Sequence, residues 1–66
     1  MPIKVRDMIR MLEEDGWVWE RTRGSHRVYS HPTKPGIVVV PGMLGKDLPL
    51  GTERSVLRQA GLKWRK

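Results

Sequence analysis

Two helical stretches, each with one apolar stripe and each closed by a glycine, bracket everything else in this chain. Between Lys4 and Asp15 the apolar residues Val5, Met8, Ile9 and Leu12 recur at i, i+3, i+4 and i+7, with Arg6, Arg10, Glu13 and Glu14 elsewhere. That spacing predicts one amphipathic helix. Gly16 suits its end, where a positive φ is needed. Its start is poorly marked, because Lys4 offers no short side-chain acceptor for the free backbone N–H groups, and the first turn is expected to fray. Near the other end Thr52 is expected to cap a helix running to about Ala60, with Val56, Leu57 and Ala60 on one side and Arg54, Arg58 and Gln59 on the other. Gly61 closes it.

Three strands fill the interval. Trp17 to Arg23 is aromatic and β-branched with no helix breaker, Gly24-Ser25 supplies a two-residue turn, and His26 to Ser30 returns. His31-Pro32-Thr33-Lys34-Pro35-Gly36 is a dense turn signal, and Ile37 to Val40 is the third strand, ended by Pro41. Gly42 to Leu50 carries no usable periodicity and reads as a loop. Each helix has a single apolar face that must be covered, and one face of a three-stranded antiparallel sheet can cover both. The predicted fold is α+β, a two-layer α-β-β-β-α unit of the double-stranded RNA-binding-domain kind. At 66 residues it holds one domain, residues 1–66, with a basic tail over 63–66 expected to be partly disordered.

Stability has to come from packing or from a partner, because there is no cysteine for a disulfide or a thiolate metal site. The absence of cysteine fits a reducing cytoplasm, and the charges between Lys4 and Glu14 interrupt any signal or membrane segment. Thirteen Lys and Arg against seven Asp and Glu leave a formal charge of +6 and a pI near 10.6. Polyanions are the natural partners of such a chain.

Candidate chemistry centres on His26, which stands at the hairpin within Arg21-Thr22-Arg23-Gly24-Ser25-His26-Arg27-Val28-Tyr29. Histidine is the side chain whose charge changes near neutral pH, and set among cations that draw in phosphate it suits proton transfer at an RNA backbone. Strand parity complicates this, since His26 shares a face with Val28, which reads as core. His31, in a His-Pro turn, reads as surface. Gly42-Met43-Leu44-Gly45-Lys46-Asp47 is not a phosphate loop, for Val40 and Asp47 stand where Gly and Ser or Thr are required. The two histidines without cysteine make no metal site, and no cofactor is expected. Trp17 reads as core, Trp19 stays open, and Tyr29 fits either a sheet margin or an RNA contact.

The elements Gly16-Trp17, Arg21, Gly24-Ser25-His26-Arg27-Val28-Tyr29, His31-Pro32, Val40-Pro41, Gly51-Thr52 and Arg54-Ser55-Val56-Leu57-Arg58-Gln59-Ala60-Gly61-Leu62 together resemble the HicA (YcfA-like) toxins. The likeness spans nearly the whole chain. It implies metal-independent cleavage of mRNA with His26 as the catalytic residue, presented by Gly24 and Ser25. It also implies a HicB-type antitoxin that covers the site, with DNA contacted only through that antitoxin and no membrane involved. Arg21, Arg23, Ser25, Arg27, Tyr29, Lys34 and Lys46 are the expected RNA contacts, the arginines by proximity to His26. The chain departs from its relatives at Met43, where many carry histidine, at Glu53, where leucine is usual, and at Lys4, where a serine cap is common; the last is expected to cost about 1 kcal/mol. Two other readings remain, a noncatalytic RNA-binding module and a subunit that binds only an acidic protein. His26→Ala separates the first from an enzyme, and salt-dependent RNA binding separates the second.

Overall fold

In the computed structural model, which describes residues 3–62, the first apolar stripe forms α1, Val5–Glu14, and buries Val5, Met8, Ile9 and Leu12. The tail expected over 63–66 lies outside the described residues. Gly16 ends the helix at φ 101°, with its amide on the Glu13 carbonyl at 3.0 Å and the Trp17 amide on the Leu12 carbonyl at 3.0 Å. The second helix, α2 (Leu50–Ala60), ends the same way: Gly61 at φ 68° donates to Arg58 at 3.1 Å and Leu62 to Leu57 at 2.9 Å. In both cases the residue after the glycine, Trp17 or Leu62, packs on the core, which ties the helix stop to the hydrophobic cluster.

The helix starts differ from expectation. The first turn of α1 does not fray, because the segment after β3 supplies the missing acceptors: Val5 donates to the Lys46 carbonyl at 2.9 Å and Arg6 to the Leu44 carbonyl at 3.2 Å. The Lys4 carbonyl takes the Asp7 and Met8 amides, and Leu48 donates to Ile3 at 2.8 Å. What reads as a featureless loop is therefore a backbone cap. Helix α2 begins before Thr52, with Pro49 as its cap residue at φ −58° and Glu53 donating to the Pro49 carbonyl at 2.9 Å. Thr52 lies inside the helix and caps nothing. Glu53 is buried, so the position where the resemblance implies leucine faces the interior.

Strands β1 (Val18–Arg23), β2 (His26–Ser30) and β3 (Ile37–Val40) form an antiparallel sheet in the order β1-β2-β3. Trp17 belongs to the helix stop rather than the strand. Side chains alternate between the two faces of a sheet. Tyr29, Val38 and Val40 meet both helices, joining Met8, Leu12, Trp17, Val56, Leu57 and Ala60 in one cluster. His26 and Val28 point the other way. Val28 is buried yet stands apart from the helix-packed cluster, flanked by its cross-strand partners Arg21 and Val39. Parity thus holds without placing His26 in the core.

The two sheet edges differ. The β1 register shifts between Trp19 and Arg21, a bulge that puts Trp19 opposite Tyr29 and Arg21 opposite Val28. On β3 the Val39 amide is taken by the side chain of Gln59, whose own amide donates to the Ser55 hydroxyl at 3.2 Å. A side chain from α2 thereby occupies a donor that another strand would otherwise use.

Candidate functional site

The Gly24-Ser25 turn, with Gly24 at φ 60°, reverses the chain and leaves His26 as the first residue of β2. The ring is exposed and makes no hydrogen bond to any described residue. Directly opposite it stands Arg23, and Arg21 follows on the same helix-free face. Cross-strand partners hold their Cβ atoms about 5 Å apart, so the Arg23 and His26 side chains leave the hairpin side by side on one face. The Arg21 guanidinium leans on Glu20 at 3.2 Å, an exposed pair that a phosphate can displace.

Arg27 leaves β2 on the opposite side and donates to the Gly42 carbonyl at 3.0 Å. It therefore pins the segment after β3 against the hairpin. Between them opens a cleft of about 500 Å³ lined by Gly24, Ser25, Arg27 and residues Gly42 to Gly45. Ser25 and Arg27 thus share a site, and His26 lies at its margin on the other sheet face. Lys46 is exposed just beyond the lining. Sequence reading passes over Met43 and Leu44 as cleft residues. Their only signal is two large apolar side chains between glycines, which no pattern of spacing interprets.

Tyr29 and Lys34 do not join this group. Tyr29 faces the helices and is buried, and burial raises its phenol above the ordinary value of 10.0, with Glu13 adding to the effect and Arg27 opposing it. Lys34 lies past the far end of β2, where its ammonium binds the Asp15 carboxylate and the Ala60 carbonyl at 3.1 Å. A cation at the end of α2 also complements the helix dipole. The hydrogen bond from Lys34, partly offset by burial, holds the Asp15 carboxyl below its ordinary 3.8, with the lysine's charge and the Trp17 indole adding.

His31 is the second histidine, and its ring is fully engaged rather than free at the surface. Its Nδ1 accepts the backbone amides of Thr33 and Lys34, both at 3.1 Å. The proton then belongs on Nε2, which donates to the Asp15 carbonyl at 2.7 Å. The ring stands edge-on to Trp17 with centroids 5.1 Å apart. A Cβ on Gly16 would lie 2.8 Å from this Nε2, so the glycine is required by contact as well as by φ.

Among the described residues no three His, Asp or Glu side chains gather to hold a metal ion, and no helix is long and apolar enough to cross a membrane. A search of curated proteins finds no match. A scan against family models matches residues 5–62 to the HicA toxin of bacterial toxin–antitoxin systems. That stretch takes in α1, the whole sheet, the cleft and α2. The chain belongs to the HicA toxin family of bacterial toxin–antitoxin systems.

Proposed function

We propose that this toxin is an endoribonuclease that cuts mRNA in the cytoplasm through His26, restrained by a HicB-type antitoxin. The observation that carries the reading is the contrast between its histidines: His31 has both ring nitrogens engaged, whereas His26 is exposed opposite Arg23 with no hydrogen bond to any described residue. In the proposed reaction the His26 imidazole takes the proton of a ribose 2'-hydroxyl. The 2'-oxygen bonds to the adjacent phosphorus as the bond to the 5'-oxygen breaks, and that oxygen leaves with a proton from water. Arg23 and Arg21 stabilise the charge on the nonbridging oxygens. The products are a 2',3'-cyclic phosphate and a 5'-hydroxyl. The antitoxin covers this cationic end, and contact with DNA runs only through it.

The test is to incubate the wild type and His26→Ala with a long RNA in chelator and to analyse the fragment ends. Cyclic phosphate ends from the wild type alone are expected, with RNA binding nearly equal, because one neutral side chain adds little to the electrostatic attraction. Met43, standing where the resemblance implies a histidine in many relatives, favours a second reading, a noncatalytic RNA-binding module. Binding by both proteins with cleavage by neither would establish that reading instead.

A further inference from the structure

The segment Gly42 to Gly45 is held from two sides. Arg27 bonds the Gly42 carbonyl, and the first turn of α1 bonds the Leu44 and Lys46 carbonyls, while Lys46 donates back to Met43 at 2.9 Å. On this fixed backbone Met43 and Leu44 are 66% and 47% exposed. The chain has other exposed apolar side chains, but Met43 and Leu44 are neighbours on a fixed frame and together present apolar surface beside the hairpin. They line the cleft whose opposite rim is the Gly24-Ser25 turn, so the cleft begins one residue from His26. Glycines, Met43 and Leu44 line it together with Ser25 and Arg27, and the sheet face beyond the turn carries Arg23 and Arg21.

We infer that this cleft seats one unpaired nucleobase of a single RNA strand, with Met43 and Leu44 against its faces, while the neighbouring phosphate lies over the turn at Arg23. The charge on the far side of the turn suits a backbone phosphate, and the mainly apolar cleft suits the base that a single strand offers beside that phosphate. A duplex keeps its bases stacked and presents only sugar and phosphate to such a slot. Met43 is adaptable enough to take any base, since an unbranched thioether has no fixed shape. Arg27, already bonded to Gly42, keeps further N–H groups for a base edge or a phosphate.

The inference deepens the proposed function and rests on its reading of RNA as the ligand, not on cleavage, so binding is measured without cleavage. In a His26→Ala background, Met43→Ser with Leu44→Ser is compared with the unaltered loop by fluorescence anisotropy. The probes are a 12-nucleotide single strand, the same sequence as a duplex, and an abasic sugar–phosphate strand of equal length. Both side chains are exposed, and a thermal melt checks that the loop variant remains folded. Loss of base contact is expected to weaken the single strand about tenfold, on the scale of burying one apolar side chain. Duplex and abasic affinities, and the salt dependence, should not change. Equal loss on all three probes would overturn the inference by showing that the loop serves the backbone. No loss on any probe would also overturn it and leave the slot to the protein partner.

Discussion

At the scale of residues, His26 and His31 stand at opposite ends of β2 and have opposite fates. Replacing His31 with Ala removes an acceptor for two backbone amides and a donor to Asp15, and leaves the Trp17 ring without its T-shaped partner. A loss of about 2 kcal/mol is expected, a fall of roughly 10 °C in Tm for a domain of this size. Thermal denaturation followed by circular dichroism measures it, and an unchanged midpoint would mean that the network is idle. His31 is easy to misread because its partners on one side lie in the same turn, while Asp15 and Trp17 come from the end of α1. His26 is legible for the opposite reason, since its setting is local: two glycine-serine turn residues and arginines one to five positions away. Tyr29 is the residue whose side of the sheet could not be read. Arg27 and Tyr29 share a face, and only the position of the helices decides that this face is the inner one.

At the scale of elements, the turn between β2 and β3 braces the C-terminal ends of both helices, through Asp15 on one and the Ala60 carbonyl on the other. The lowered Asp15 pKa carries a sign. Its contribution to stability is complete above the ordinary value of 3.8 and is lost as pH falls through the lower folded value. Urea midpoints measured from pH 6 down to pH 2 should therefore fall less steeply in Asp15→Asn than in the wild type, from a lower starting point. Matching acid limbs would show that the carboxylate does no more than hydrate. Helix interiors and glycine stops are readable along the chain because a 3.6-residue period and a positive φ are local demands. Helix starts are not. The acceptors for Val5 and Arg6 are backbone carbonyls some 40 residues away, which have no side-chain signature.

At the scale of the molecule, a charge of +6 predicts salt-sensitive binding but does not say which cations engage. They differ in setting: Lys34 is bonded within the fold, whereas Arg21 and Arg23 are exposed on the helix-free face. Arg21→Gln with Arg23→Gln should lower the slope of log affinity against log salt by about 1.4, near 0.7 for each phosphate contact on a single strand. Lys34→Gln should leave that slope unchanged and lower Tm, since its ammonium already serves Asp15 and Ala60. Equal slopes for the wild type and the double arginine variant would remove the helix-free face from the RNA path. The cap that Leu44 and Lys46 place on α1 also sets an order of assembly. Contacts between distant segments form late, and a growing chain acquires them only when the later segment has emerged. The hairpin bearing His26 is complete at Ser30, but the far wall of the cleft and the first turn of α1 must both wait for the residues that follow Pro41. A nascent chain interrupted after β3 therefore holds His26 on a finished turn while the segment that walls the cleft and caps α1 is still to come.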